Sequence, residues 1–207
     1  MKRMIWSAVR LALVLAAHGE QATAGAFHIA ASGLPQRIGD SALTVTPSQD
    51  WNRLGRRVGH DAESWSEDGL SLNDVTFYAG VPSEQTLLKA RSPKDKPLPP
   101  FSATMLPPDV AQMFEETYRI ANDTSIFTVD KIEPAKFLGG DGFRFFYTFV
   151  SKDEVERKGM ATAAVRDGKL YMITLEAPTI HYFDTTLPAY QQLVESATLG
   201  AGAKPKR

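Results

Sequence analysis

The sequence predicts an α+β domain in which one antiparallel sheet is covered by helices on both faces, a three-layer sandwich. Three observations carry that expectation. Strand-like segments follow one another over residues 142–150, 160–166 and 169–177, with Asp167-Gly168 as a two-residue hairpin turn between the last two. Both sets of alternating positions in these strands are mostly apolar, and a sheet fronting water would instead alternate apolar with polar. Two further segments, 108–121 and 185–197, repeat apolar residues at helical spacing and supply the cover.

At the amino end, Lys2, Arg3 and Arg10, an apolar run over residues 11–17 and the small triplet Ala22-Thr23-Ala24 read as a removable secretory leader, cut after Ala24. A spanning helix needs roughly 20 apolar residues, and Arg10 on one side with His18, Gly19 and Glu20 on the other confines the run to less than that. No stable membrane span is expected after cleavage. The chain has no cysteine, which excludes both a lipid anchor on cysteine and disulfide stapling. Loss of the leader takes Lys2, Arg3 and Arg10 against Glu20, so the net charge moves from -1 to -3. That balance, with no basic stripe, argues against nucleic acid as a partner.

Residues 25–40 are rich in Ala, Gly and Ser without a sustained period and read as a flexible spacer. A single domain over 41–199 follows, then a solvated tail over 200–207 with Lys204, Lys206 and Arg207. Leu43 and Val45, then Trp51, suggest an opening strand, and 63–65 a second. Asp68-Gly69 lies between apolar positions and reads as a hairpin turn into a strand over 72–79. Glu67, Asp68 and Asp74 lack the ligand spacing and closing glutamate of a calcium loop.

From 82 to 108 the chain holds seven of its 13 prolines, so this stretch is a loop. Pro97, Leu98, Pro99 and Phe101 have the polyproline character that aromatic grooves recognise, and so make a candidate partner-binding loop. The favoured reading is a strap, with Leu98, Phe101 and Met105 tucked under the domain edge, because packing explains apolar residues interleaved with proline at least as easily. The helix that follows opens on Pro107 and Pro108, with Val110, Met113, Phe114, Tyr118 and Ala121 along one face, and Asn122-Asp123 stops it. A strand over 126–132 precedes the three strands above. Pairing Arg166 with Lys169 puts Phe143, Phe145, Tyr147 and Phe149 opposite Thr162 and Ala164, on the face of Tyr171, Ile173 and Leu175. The register across 151–159 in that reading is open, and a slip leaves both faces apolar.

Three stretches carry a resemblance: Trp65 to Leu72, the approach Gly139-Gly140-Asp141-Gly142-Phe143-Arg144-Phe145 to a long strand, and the hairpin exit Gly168-Lys169-Leu170-Tyr171. Over about residues 41–199 the order of elements resembles the PsbP-like superfamily, and also small exported proteins and lipoproteins of bacteria with no assigned role. The resemblance implies an antiparallel sheet between helices and a binding or assembly role without catalysis. It supplies no functional residue that maps position by position, and the chain departs from the lipoprotein relatives in lacking the cysteine.

The chemistry-bearing motifs are sparse. His28, His60 and His181 are isolated from one another, and without cysteine there is no metal signature. His60-Asp61-Ala62-Glu63 reads as a solvated turn. There is no Gly-x-Ser-x-Gly elbow, and the glycines at 139, 140 and 142 enter a strand and not a helix, so they form no phosphate loop and no cofactor is implied. Close backbone approach explains them. Two further candidates for ligand or partner contact remain. Arg144 lies among aromatics and needs an anionic partner, from the fold or from a ligand. His181 and Tyr182 join the last strand to the last helix, where a histidine beside a carboxylate such as Asp184 could do acid-base work.

These readings converge on an exported protein of the periplasm, or one released to the medium, that binds or helps assemble an envelope protein or small ligand and does no catalysis. A small envelope hydrolase built on His181 is the second reading, and a purely structural protein the third.

Overall fold

In the computed structural model the described residues are 27–54, 59, 62–89, 96–122, 124 and 126–200. The leader, the tail, His60 and Asp61 lie outside them. Eight antiparallel strands form the main sheet: β1 (Phe27–Ala30), β4 (Trp51–Leu54), β5 (Ala62–Ser66), β6 (Asp74–Pro82), β7 (Phe127–Phe137), β8 (Gly140–Val150), β9 (Glu156–Arg166) and β10 (Lys169–Pro178). Their order across the sheet is β1-β4-β5-β6-β10-β9-β8-β7. A smaller sheet joins β2 (Gln36–Arg37), β3 (Leu43–Val45) and β11 (Thr198–Leu199) in the order β11-β3-β2. Among the described residues two helices complete the set, α1 (Pro107–Asn122) and α2 (Tyr182–Ser196).

The spacer expectation is corrected. Residues 27–30 pair with β4 and 36–37 with β3. Ala30 and Ile38 are buried, so this stretch contributes to the core despite its small-residue composition.

Helix α1 begins at its prolines, where the Asp109 carboxylate accepts the Leu106 amide at 2.8 Å. Its buried residues Val110, Met113, Phe114 and Tyr118 share one core cluster with Phe143, Phe145, Tyr147 and Phe149 of β8. Phe114 is the hub, with ring centroids 5.4 Å from Phe145 and 5.1 Å from Tyr147. Helix α2 belongs to a second cluster with Trp51, Trp65, Phe77, Tyr171, Ile173 and Leu175. Tyr190 ties it to the sheet by donating to Ile173 O at 2.9 Å. Strand side chains thus divide between two core clusters, one containing α1 residues and the other α2 residues.

The Asp167-Gly168 turn is as expected, with φ 49° and 71° and Arg166 opposite Lys169. The Asp68-Gly69 turn is not. Residues 67–73 make a longer connection, because the Asn73 side-chain oxygen accepts the Glu67 amide at 2.8 Å, the Asp68 amide at 3.1 Å and the Ser66 hydroxyl at 2.9 Å. An asparagine that binds the loop's own amides outcompetes a two-residue turn.

The register between β8 and β9 is shifted by one from the expectation. Phe143 faces Ala163 and Phe145 faces Ala161, so these aromatics lie on the α1 side, apart from Tyr171 and Ile173. Two glycines select it. The Tyr147 ring lies over Gly159, where a Cβ would stand 2.1 Å from the ring. A Cβ on Gly142 would meet Ala163 O at 2.6 Å, which is the close approach expected of that glycine.

Candidate functional site

Strand pairing brings four loops to one end of the sheet. Phe127 pairs with Phe149, Val150 with Glu156, Arg157 with Pro178 and Glu176 with Asp74. The connections 67–73, 122–126, 151–155 and 179–181 are therefore neighbours. Hydrogen bonds stitch them: Thr124 Oγ1 donates to Val150 O at 2.7 Å, and Thr179 N to Glu156 O at 3.0 Å. Beside the 67–73 and 151–155 connections and Asn122 and Thr124 opens a cleft of about 340 Å³ whose wall includes Leu70, Asn122, Phe149, Lys152, Arg157 and Glu176.

Glu176 is its chemical focus. The Tyr147 hydroxyl, carried across Gly159, donates to Glu176 Oε1 at 2.7 Å, and Tyr118 from α1 is a second hydrogen-bond partner. Burial pushes the Glu176 carboxyl up to about 7, and the neighbouring Asp74 charge adds to that; the two phenols and Arg157 pull the other way. Asp74, on the adjacent strand, is likewise pushed up to about 6 by burial, against hydrogen bonds from Thr76 and Ser64. Burial raises Tyr118 and Tyr147 well above the ordinary phenol value, so both remain hydrogen-bond donors at neutral pH.

Arg157 lines the same cleft but its guanidinium is engaged. Nη1 donates to Asp153 Oδ1 at 2.9 Å and Ser151 Oγ at 2.5 Å, and Nη2 to Asp153 Oδ2 at 2.8 Å and Ser71 O at 3.3 Å. The bidentate bonds from Arg157 hold the Asp153 carboxyl down at about 2. This ion pair fixes the 151–155 loop against the 67–73 loop.

The residues singled out from sequence lie elsewhere. Pro97 is exposed and Pro99 half-buried, whereas Leu98 is buried and Phe101, at 0 % exposure, belongs to the α1 core cluster. Phe101 is anchored by its amide to Gln85 O at 2.8 Å and by its carbonyl to the Glu84 amide at 2.8 Å. Arg144 is half-exposed on β8, where it pairs with the Glu133 carboxylate and lies 5.9 Å from the Phe146 ring centroid. Its anionic partner is thus from the fold. Hydrogen bonds from Lys131 and then Arg144 hold the Glu133 carboxyl below its ordinary value. Arg144 also borders a second cleft, of about 400 Å³, with Thr162, Tyr190 and Gln191. His181 is exposed at the start of α2 with φ 72°, and its carbonyl accepts the Thr185 amide and hydroxyl. The Tyr182 ring centroid is 5.3 Å from that of His181, and Asp184 is exposed.

Sequence reasoning missed Glu176, Tyr147, Tyr118 and Asp74. Position 176 carried a signal: it is the one carboxylate within the apolar alternation of 169–177. A lone acid inside a doubly apolar strand needs partners, and its partners come from α1 and β8, distant in the chain.

Among the described residues no group of histidine, aspartate and glutamate side chains has the arrangement of a metal site, and no helix is long and apolar enough to cross a membrane. No protein-family model matches the chain, and no curated protein sequence matches it. Among solved structures, it is similar to the solution structure of cyanobacterial PsbP, CyanoP, from Synechocystis sp. PCC 6803. The two share 18 % identity with a TM-score of 0.55, covering 82 % of this chain and 95 % of that one. LpqN of Mycobacterium tuberculosis, described as involved in cell envelope biogenesis, aligns over 84 % of this chain and 92 % of its own, at 10 % identity and a TM-score of 0.35.

Proposed function

The chain has a PsbP-like fold, and on that premise we propose that it is an exported, non-catalytic protein of the cell envelope that binds or helps assemble a partner through the cleft above Glu176. The carrying observation is that the cleft closes on a desolvated carboxyl held by two phenols. A desolvated titratable group in a concave site is a candidate functional group, because its burial costs stability that packing alone would avoid. Export rests on the leader pattern over residues 1–24, with the periplasm as the compartment. The three-layer arrangement belongs to this reading too, and the division of the core into one cluster with α1 and another with α2 supports it.

The hydrolase reading needs His181 beside a carboxylate in an enclosed site. Exposure of both His181 and Asp184 gives it no such support.

The test places a photo-crosslinking side chain at Leu70, on the cleft rim, and in a second variant at Asp167, at the opposite end of the sheet. A discrete envelope partner crosslinked from Leu70 and not from Asp167 is the expected result. The same products from both positions, or none from Leu70, overturn the proposal. Fractionation of the producing cells checks export: the chain should appear outside the cytoplasm, shortened at its amino end.

A further inference from the structure

The loops around the cleft expose apolar side chains into water. Leu70, Ile126, Val155 and Ile180 stand one on each of the four connections, with Ile180 85 % exposed. Half of the large hydrophobic residues exposed among those described therefore sit at this one end of the sheet. Isolated exposed hydrophobics need no explanation, but four on connections at one end of the sheet, with Leu70 lining the cleft, read as a contact surface.

The charges on the same loops and strand ends are mostly acidic. Glu67, Asp68, Glu154 and Glu156 are exposed there, against Lys152 and Lys158, and Asp153 is paired with Arg157. Arg157 adds no available positive charge, because Asp153 neutralises it and its guanidinium nitrogens bond to loop oxygens. The cleft wall also includes Phe149, whose ring packs largely into the α1 cluster, and Glu176. An anionic group would meet Lys152 and the paired Arg157 at the wall together with Glu176 and the acidic loops, whereas a cation finds an excess of counter-charge.

We infer that the cleft receives the basic side chain of a lysine carried by an apolar segment of a partner protein, with Leu70 at the rim and Ile126, Val155 and Ile180 on the neighbouring connections packing against the segment and Glu176 as counter-charge. This deepens the reading above and rests on it. The volume of about 340 Å³ is at the small end of the range for ligand sites, roughly 300–1,000 Å³, which suits one inserted side chain and not a whole helix.

A protonated lysine favours the ionised form of Glu176, so binding releases a proton near neutrality. The groups that face Glu176 are Asp74 and Tyr78 from β6, Tyr118 from α1, Tyr147 from β8, Arg157 from β9 and Lys152 at the rim. Of these, Asp74 also ionises between pH 5 and 7 and acts in the same direction. Affinity for the amine therefore rises as pH increases from about 5.5 to about 8.

The experiment titrates the full chain with acetyl-leucyl-lysyl-leucyl amide and with its glutaminyl and glutamyl counterparts, following the amide resonances of Thr124, Ser151 and Arg157. The lysyl peptide should bind at least tenfold more tightly than the other two at pH 7.5 and lose most of that preference at pH 5.5. Glu176→Gln keeps the phenol hydrogen bonds and should remove the preference at both pH values. Equal binding of the three peptides, no binding of the lysyl peptide, or an unchanged preference in Glu176→Gln each overturn the inference. None of these outcomes alters the Leu70 crosslinks, which judge the partner-binding reading separately.

Discussion

Two carboxylates on the main sheet, Glu63 and Glu176, show opposite ways of placing an acid among apolar residues. Glu63 on β5 is the more buried, at 8 % exposure, yet its oxygens are fully engaged: Arg53 Nε donates at 2.6 Å, Trp65 Nε1 at 2.6 Å and the Gly39 amide at 2.9 Å. The pair ties β4 and β5 to the loop between β2 and β3, and the Arg53 guanidinium lies 5.5 Å from the Trp65 ring centroid. Glu176 opens on a cleft, meets phenols where Glu63 meets a cation, and faces a second acid in Asp74. A buried carboxylate in contact with a guanidinium is satisfied within the fold, and one bonded to phenols beside another acid is a candidate for a contact outside it.

The largest effect that would break this contrast comes from Glu63→Ala. It strands Arg53 in a mostly buried position and leaves the Trp65 indole N–H without its acceptor. The expected cost is about 3 kcal/mol, read from urea denaturation at pH 7. Glu63→Gln, which keeps acceptor oxygen for two of the donors, should cost about half as much. A loss below roughly 0.5 kcal/mol, the range of exposed pairs, would mean that the network does not hold the amino-terminal strands in place.

Glu176→Gln should do the reverse. The folded-state value of about 7 lies above the unfolded value of 4.5, so the folded chain binds the extra proton between those limits and its stability falls as pH rises through them. Above pH 8 the full penalty is present, and below about pH 4 it is absent. The variant should therefore gain roughly 2 kcal/mol at pH 8 and nothing measurable at pH 4. A shallower slope caused by Asp74, confined to lower pH because its folded-state value is about 6, should remain. A variant destabilised at pH 8 would show that the ionised Glu176 holds the fold, as Glu63 does.

How far the sequence disclosed this contrast follows from where each set of partners lies. The α1 and α2 segments and the Asp167-Gly168 hairpin were legible because period, prolines and turn chemistry are local signals. The strands at 27–30 and 36–37 were hidden, since their small residues become core only when β3 and β4 supply the facing surface. The β8 register depended on Tyr147 meeting Gly159, a contact that neither strand announces alone. Phe101 illustrates a different limit: polyproline composition is shared by straps and recognition loops, and only burial separates Phe101 from exposed Pro97. The Glu176 cluster was least legible, because its acid, its phenols and its second carboxylate come from β10, β8, α1 and β6 and meet through tertiary packing.

The smallest and sharpest test concerns the Tyr147 hydroxyl. Tyr147→Phe leaves the ring over Gly159 and against Phe114, and removes only the donor to Glu176 Oε1. That bond favours the ionised carboxylate, so its loss moves the Glu176 value further up and steepens the fall of stability with pH. The expected cost is about 1 kcal/mol at pH 8 and less at pH 4, where the carboxyl is protonated in both states. In the Glu176→Gln background the same change should not depend on pH, and the double-mutant cycle at pH 8 should return a coupling of about 0.5 to 1 kcal/mol. If Tyr147→Phe costs the same at both pH values and in both backgrounds, the phenol packs without holding the carboxylate. Glu176 would then depend on Tyr118 and the Arg157 charge for its ionised form.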